Sequence, residues 1–236
     1  MKRFFRRHAT LWMLIGFCLL LGLFLSLRTG IFFTGRNLIN ILEANSFKLL
    51  LAIGMTFVIA SGGIDLSVGS ILSLSAIFTA LCMKQNIPVW LAILVGLLSG
   101  ILMGLINGAL IHFTGINAFI ITLGTSFLYR GLALIVTRGT PVSKLPAAYR
   151  AFGGGDIFQV ESGVYMALLV LLLSIPLLYK MRWGHYITTL GGNPVALRRC
   201  GVRTGAWRIS TFAVMGFLAA LAGIIISARL NSAEPN

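Results

Sequence analysis

The chain has 236 residues, of which 58% are hydrophobic and only 10% are charged. Its apolar runs recur at the length needed to cross a hydrocarbon core about 30 Å thick, so the composition excludes a soluble globular domain and indicates an integral membrane protein. The formal net charge is +14. Because the basic residues lie in short connections between apolar runs, we expect them to contact lipid head groups and orient the protein rather than bind nucleic acid. The scattered cysteines and histidines lack metal-ligand or disulfide spacing, so no metal site is expected.

The first apolar run follows a basic start. Residues 1–8 contain four Lys/Arg, and residues 9–27 are uncharged. A signal peptide is the alternative interpretation, but the run is long and has no small-x-small cleavage site before Arg28. The pattern therefore predicts a retained first helix, then a mixed polar connection over 28–47, and then two helices over 45–61 and 66–83.

The most informative stretch is residues 54–76, where the only charge is Asp65, just after Gly62-Gly63. A carboxylate in so apolar a setting is costly unless it caps a helix, pairs with another group or faces water. We expect the first helix to end here, the chain to turn sharply, and Asp65 to be the N-cap of the second helix. Gly62, Gly63 and Gly69 are the candidate hinge. A structural cap and a polar group beside a solute path are both compatible with this pattern.

A glycine repeat marks the next predicted helix, residues 88–113. The repeat consists of Gly96, Gly100, Gly104 and Gly108. Because four residues overshoot one helical turn by about 40°, these glycines form a slowly winding groove against which another helix can pack closely. Asn107 lies beside the groove and is expected to form a hydrogen bond across it.

The helix predicted over 117–136 contains a single charge, Arg130. Its side chain either extends to the nearer interface or faces the protein interior, where it would pair with a carboxylate or a polar solute. The connection over 138–163 contains Gly153-Gly154-Gly155 without the Lys-Ser/Thr of a phosphate-binding loop, so we expect a flexible loop. Two further helices are predicted, over 164–179 and 209–228.

The second informative stretch is residues 180–208, which hold six Lys/Arg and no acid. The outer connections of the predicted topology instead contain acidic residues, namely Glu43, Asp156, Glu161 and Glu234. By the bias of basic residues toward the cytoplasm, this loop and the N-terminus are expected on the cytoplasmic side of about seven crossing helices.

A short helix is predicted inside this basic loop. Asn193 is suited to cap it, Pro194 to occupy its first turn and Gly201 to close it. A helix of about two turns is unstable alone, so it must dock on something, either an anionic lipid surface or a cytoplasmic partner.

Four stretches carry a family resemblance. They are G-M-T-F-V-I-A-S-G-G-I-D-L-S-V-G-S at 54–70, A-F-I-I-T-L-G-T at 118–125 with Y-R-G-L at 129–132, G-G-N-P-V-A-L-R-R-C-G at 191–201, and L-A-A-L-A-G at 218–223 with S-A-R-L-N-S-A-E-P-N at 227–236. At these stretches the chain closely resembles the permease subunit of ATP-binding-cassette importers for monosaccharides such as ribose, xylose and galactose. The resemblance implies an all-α, polytopic membrane protein of the bacterial inner membrane. It also implies a single permease domain over residues 1–236.

The resemblance also implies partners and residue roles. In such importers two permeases sit on ATPase subunits, which use the ATP, and receive sugar from a periplasmic binding protein. The segment 191–201 resembles the helix that docks into the ATPase, which assigns coupling to Gly191, Gly192, Asn193, Pro194, Ala196, Arg198, Arg199 and Gly201. From side-chain chemistry rather than from the resemblance, since Ser and Asp can form hydrogen bonds with sugar hydroxyls, we expect the translocation path to be lined by Asp65, Ser67, Asn117 and Arg130. No catalytic residue is expected, since the sequence contains no Walker A motif.

The sequence departs from the family in a few places. Members usually carry an acidic or small polar residue at the position of Val195, Ala at Leu197, and in many cases Pro at Asn117. The family also continues past the equivalent of Asn236 with further membrane helices, which predicts either a truncated, non-transporting product or a remainder supplied by another chain. A carrier driven by an ion gradient, with Asp65 as the ion-responsive group, is the alternative from another class.

Overall fold

The computed structural model describes residues 9–235. The basic start used to orient the chain, residues 1–8, lies outside the described residues. The helices are α1 (Ala9–Thr29), α2 (Gly35–Ala60), α3 (Val68–Lys84), α4 (Val89–Thr114), α5 (Ala118–Thr137), α6 (Ala147–Gly154), α7 (Ser162–Tyr179), α8 (Arg182–Gly192), α9 (Pro194–Arg199) and α10 (Thr204–Leu230). Four two-residue strands are β1 (Val142–Ser143), β2 (Asp156–Ile157), β3 (Val160–Glu161) and β4 (Ser232–Ala233). The all-α fold expected from the sequence is confirmed.

Six of the described helices are long and apolar enough to cross a membrane. The remaining one of the seven predicted helices, α3, is also apolar but has only 17 residues and is shorter than these six. At about 1.5 Å per residue it is roughly 25 Å long. Most of α3 is buried among its neighbours, so it depends less than the others on contact with lipid.

Helix α2 begins at Gly35, well before the predicted start at Asn45, so the polar connection expected over 28–47 is largely helical. The backbone N–H of Asn37 donates to the side-chain oxygen of Thr34 at 3.4 Å, which caps the first turn. No proline interrupts the following residues. The polar composition of this segment was therefore a poor guide to its structure, because a capped helix tolerates polar side chains.

The chain divides into two compact units, residues 1–44 and 45–236. In the first unit, the rings of Phe32 and Phe33 lie close to Gly22 of α1 and pack edge to face on each other, with centroids 5.1 Å apart. The hydrogen-bond network around Asp65, the cavities and the basic segment all lie in the second unit.

The core of the second unit is the contact between α4 and α10. Each glycine of the α4 repeat lies so close to a neighbour that an added Cβ would collide with it. Gly104 and Gly108 face the α10 backbone at Phe212 and Ile209, and Gly100 faces Gly216 and Ala220. Gly96 instead meets Thr79 of α3 together with Ile224 of α10. The backbones of α4 and α10 therefore touch at three of the four glycines of the repeat.

Residues 138–163, expected to be a flexible loop, contain helix α6 and a β-hairpin. Gly153 lies against Ile225 and Ala228 of α10, so the glycine run is a packing contact rather than a mobile segment. The hydroxyl of Tyr149 lies 2.6 Å from Ser227 Oγ, and burial raises the pKa of this tyrosine. The prediction missed this because glycine permits both flexibility and close packing.

The hairpin of β2 and β3 turns at Phe158 and Gln159, both with positive φ. Phe158 is 92% exposed at the tip. The hydroxyl of Tyr165 donates to the carbonyl of Ile157 at 2.9 Å, and Arg229 Nε lies 2.8 Å from Glu161. The hairpin is therefore held to α7 and α10.

Two ends of the helical bundle differ in charge. One end is formed by residues 61–66, the α4–α5 connection and residues 180–208, and we call it the basic end. At the opposite end, β1 pairs antiparallel with β4, and the Lys84 ammonium donates to the carbonyl of Lys144. The opposite end also carries the hairpin with Asp156 and Glu161, so acidic and basic side chains mix there.

Candidate functional site

The break between α2 and α3 is built around Asp65, which is fully buried. Its Oδ1 accepts hydrogen bonds from the backbone N–H of Ser67 at 2.8 Å and from the Ser67 hydroxyl at 2.6 Å. Helix α3 begins at Val68 with Ser67 as its N-cap, so the prediction that Asp65 is the N-cap was wrong. The carboxylate instead binds the N–H two residues further on, as in an Asx turn, and so shapes the turn that precedes the helix.

Thr122 of α5 holds the same break from the other side. Its hydroxyl accepts the N–H of Leu66 at 3.1 Å and lies 3.2 Å from the carbonyl of Ile64. The N–H of Leu66 would otherwise lack a partner in a non-helical segment, and an unpaired backbone group is costly in an apolar interior. The break is therefore an ordered segment fixed by side chains.

A chain of hydrogen bonds continues from Asp65 through three helical elements. The amide nitrogen of Asn107 on α4 donates to Ser67 Oγ at 2.7 Å. The hydroxyl of Tyr129 on α5 lies 3.2 Å from Asn107 Oδ1 and 3.1 Å from the carbonyl of Met103. Asn107 had been expected to bond across the glycine groove. It bonds instead on the other side, toward α3 and α5.

One atom of this network is unsatisfied. Within residues 9–235, Oδ2 of Asp65 is buried without a hydrogen-bond partner. Leaving a buried polar atom unpaired costs about 1–3 kcal/mol, and more for a charged group. The hydrogen bonds that Oδ1 accepts offset part of this cost.

A cavity of about 390 Å³ adjoins this break. Its polar lining comes from α3 and α5, where Ser70 Oγ and Ser126 Oγ lie 3.0 Å apart and Arg130 faces the same space. Leu66, whose N–H binds Thr122, forms part of the wall. The remaining lining residues are Phe47, Leu51, Gly69, Leu72, Ser73 and Pro235. The cavity thus combines hydroxyl groups and one guanidinium with apolar walls.

The basic segment forms two helices, α8 and α9. Asn193 Oδ1 accepts the N–H of Ala196 at 2.9 Å, Pro194 is in the first turn of α9, and Gly201 has a φ of +77° just after the helix. The predicted short helix and its cap are confirmed. Leu197 is its buried residue, whereas Arg198 and Arg199 are exposed.

The end of α8 lies directly on the α2–α3 break. A Cβ on Gly191 would collide with the carbonyl oxygen of Ala60 and lie 2.8 Å from the backbone N of Gly62. Gly62 itself has a φ of +81°, a conformation that favours glycine. The basic segment and the Asp65 turn are therefore in backbone contact, with no side chain between them.

The four residues expected on a path are not brought together. Asp65 and Ser67 share the buried network, while Arg130 faces the larger cavity. Asn117 caps α5, accepting the N–H of Phe119 at 2.9 Å, and lines a separate cavity of about 190 Å³ at the basic end. Of the three candidate hinge glycines, Gly62 and Gly63 border that separate cavity, whereas Gly69 lines the larger one.

Sequence reasoning missed Thr122, Tyr129, Ser70 and Ser126 as individual contributors. Thr122, Tyr129 and Ser70 were noticed only as members of family motifs. The two serines have no feature in the sequence that separates them from other serines on apolar helices, because their pairing depends on how α3 and α5 pack. Within the described residues, no group of three or more His, Cys, Asp or Glu side chains is placed to hold a metal ion.

Comparison with known proteins agrees with this architecture. Residues 37–236 match the family model described as the permease component of branched-chain amino acid transport systems. The chain belongs to this permease family. It is a multi-pass membrane protein, and the resemblance drawn from its motifs is confirmed. No solved structure is significantly similar to the chain.

Curated relatives add detail. The chain is 36% identical over 208 residues to a ribose import permease protein of Haemophilus influenzae, covering 86% of this chain and 64% of that protein. It is 34% identical over 233 residues to a D-allose transport system permease protein of Escherichia coli, covering 98% and 71%. An autoinducer 2 import system permease protein of Yersinia pestis is 34% identical, with coverage of 84% and 57%. The chain thus spans slightly less than two thirds of the ribose permease.

We expect the Ser67–Asn107–Tyr129 network to behave as one energetic unit. In a double-mutant cycle of Asn107→Ala and Tyr129→Phe, the two losses of unfolding free energy should be non-additive by about 0.6–1.7 kcal/mol, the range for side-chain hydrogen bonds inside membrane proteins. The measurement is reversible unfolding in mixed micelles. Tyr149→Phe combined with Asn107→Ala is the control cycle and should be additive, because Tyr149 bonds to α10 instead. Additive losses in the first cycle would contradict the network.

Proposed function

We propose that the chain is the membrane-spanning permease subunit of an ATP-binding-cassette importer for a monosaccharide. Its role would be to form part of the translocation path and to couple that path to a separate ATPase. The observation that carries the proposal is the backbone contact of Gly191 with Ala60 and Gly62, since it joins the basic segment to the break that borders the Arg130 cavity. Family membership and the names of the relatives support it.

The proposed substrate site is the cavity beside Arg130. Hydroxyl groups of Ser70 and Ser126 both donate and accept hydrogen bonds, and the guanidinium donates several, which suits a small molecule rich in hydroxyl groups. A volume of about 390 Å³ lies in the range of small-molecule sites. Relatives are named as permeases for ribose and allose, which are both monosaccharides. Asp65 and Ser67 would act from behind the wall by fixing the break, rather than by touching the sugar.

The proposed coupling element is helix α9 with its flanking glycines. Leu197 anchors α9 to the permease, and the exposed residues Arg198 and Arg199 remain available for a cytoplasmic partner. ATP would be bound and hydrolysed by that partner. Displacement of α9 would pass through Gly191 to Gly62 and then along residues 63–66 to the cavity wall. This gives a lever between two arrangements of the path, as alternating access requires.

The proposed importer complex contains further components. A second permease copy, a periplasmic sugar-binding protein and membrane lipid would complete the complex in the bacterial inner membrane. The basic end, with six Lys/Arg in residues 180–208, would face the cytoplasm, and the mixed opposite end would receive the binding protein. With about seven crossings, the N-terminus would be cytoplasmic.

The deciding experiment is co-purification of an ATPase subunit with the tagged chain extracted gently from its native membrane. We expect the wild-type chain to retain the ATPase and Arg198→Glu/Arg199→Glu to lose it, because charge reversal repels a partner that meets two cations. Arg138→Glu, at the opposite end, is the matched control and should retain the subunit. If the wild type retains no ATPase, the importer proposal fails and a gradient-driven carrier, recognised by uptake that responds to uncouplers but not to ATP, takes its place.

Substitution of two adjacent glycines tests the lever. Gly191→Ala places a methyl group against Ala60, whereas a Cβ on Gly192 meets nothing within 4 Å. We expect Gly191→Ala to keep the ATPase bound but to lower substrate-stimulated ATP hydrolysis and uptake at least about tenfold, the effect of roughly 1.4 kcal/mol on a coupling equilibrium. Gly192→Ala should behave as the wild type. Equal activity of the two variants would show that this contact transmits nothing.

Variants of the cavity lining test the substrate site. Arg130→Gln should reduce sugar uptake by the complete complex about tenfold or more, since a hydrogen bond to a charged group contributes about 1.5–3 kcal/mol. Ser126→Ala should reduce it about two- to tenfold, since a neutral hydrogen bond contributes about 0.5–1.5 kcal/mol. Arg138→Gln and Ser174→Ala are matched controls away from the cavity and should leave uptake unchanged. Asp65→Asn and Ser67→Ala should also lower uptake, by loosening the break. If all four non-control variants transport normally, the cavity is not on the path.

A further inference from the structure

A second cavity of about 390 Å³ lies at the basic end, outside the proposed sugar path. It is bounded by the end of α4, by α9 and by the start of α10. The residues that line it are His112, Gly115, Pro194, Arg198, Thr204, Gly205 and Arg208. Every charged or titratable side chain in this lining is basic, so its chemistry is that of an anion site.

The two arginines of this cavity have no acidic partner. Within residues 9–235, neither Arg198 nor Arg208 forms an ion pair, and no acid lies among the lining residues. Arg208 is also half-buried, so its charge is partly removed from water. A guanidinium group presents a planar fork of donors that matches phosphate oxygens, so the Arg208 side chain suits a phosphate group.

Close helix packing brings a further donor into place. A Cβ on Gly205 would collide with the imidazole of His112, so the ring of His112 lies directly against the start of α10. Only a residue without a side chain allows this approach. The imidazole, the Thr204 hydroxyl and Arg208 therefore line the cavity together.

Exposed apolar side chains lie next to the cavity in the chain. Phe113, next to His112 at the end of α4, is 80% exposed, and Ile116 is 44% exposed. Val195, beside Pro194 on α9, is 54% exposed. Both α4 and α10 are long enough to cross the bilayer, so the cavity lies where membrane helices end, at the level of the head groups. Apolar side chains around a basic pocket fit a ligand that has both a phosphate and acyl chains.

We propose that this cavity binds the phosphate of an anionic phospholipid, held by Arg208, His112 and Thr204, with the acyl chains against Phe113 and Ile116, while Arg198 remains available to the ATPase. Basic pockets between membrane helices are a known arrangement for anionic head groups. The lipid would join α4 to α10, next to the Gly191–Gly62 contact. The proposal requires only that the chain is embedded in a membrane, so it stands or falls separately from sugar transport.

The test is a lipid titration of the full chain in detergent, in which native mass spectrometry measures the bound lipid. The two lipids are phosphatidylglycerol and phosphatidylcholine with the same acyl chains. We expect one phosphatidylglycerol to bind in clear preference to phosphatidylcholine. Arg208→Gln should weaken this binding about tenfold or more, through loss of a charge-assisted hydrogen bond. Arg208→Lys should keep most of it by retaining the charge. Arg150→Gln, an exposed cation on α6, is the matched control and should bind like the wild type.

Three results would overturn the proposal. The first is equal binding of phosphatidylglycerol by the wild type and by a folded Arg208→Gln variant. The second is binding of inorganic phosphate or glycerol 3-phosphate at the same site as tightly as the lipid, which would make a soluble phosphate the ligand. The third is an Arg208→Gln variant that keeps the lipid but loses an ATPase subunit, which would assign Arg208 to a protein partner. Failure of any ATPase to co-purify leaves the lipid measurement unaffected.

Discussion

The close approach of α4 and α10 is the constraint on which the rest of the structure depends. Their backbones touch at Gly100, Gly104 and Gly108 because no side chain intervenes. In a bilayer, burial of apolar surface does not drive helices together, so this contact relies on van der Waals packing at short range. It also fixes the rotation of α4 about its axis. With the glycines turned toward α10, Asn107 is turned toward Ser67 and Tyr129.

The buried network and the backbone contact at Gly62 act on the same short segment. Residues 62–66 are non-helical, yet three contacts fix them. Asp65 binds the N–H of Ser67, Thr122 binds the N–H of Leu66, and Gly191 packs on Gly62. A segment fixed in this way has few arrangements open to it, and a shift of one contact must be matched at the others. The Oδ2 atom of Asp65 is buried at the centre of this arrangement without a hydrogen-bond partner.

The sequence predicted the helical class, most helix boundaries, the α9 helix with its Asn193 cap, and the family. These succeeded because they depend on local composition and on short-range capping. The start of α2, the role of Asp65 and the ordered segment around α6 were mispredicted. Asp65 shows the reason. An acidic residue after two glycines is equally suited to cap a helix directly or to shape the turn before it, and the choice depends on Thr122, 57 positions further along the chain. The cavity beside Arg130 likewise depends on how α3 and α5 pack, and the periodicity of apolar residues in the sequence does not reveal this packing.

The glycine face of α4 has a consequence for biosynthesis. The hydrogen bonds that join Asp65, Asn107 and Tyr129 are all made within residues 65–129, so they are available as soon as α5 has been synthesised. Residues 204–230, which cover the glycines, are translated much later, and at about 5–20 residues per second the delay lasts several seconds. During this interval the bare face of α4 lies against lipid or against the insertion machinery. The order of synthesis therefore allows the polar groups to pair before the closest helix contact can form.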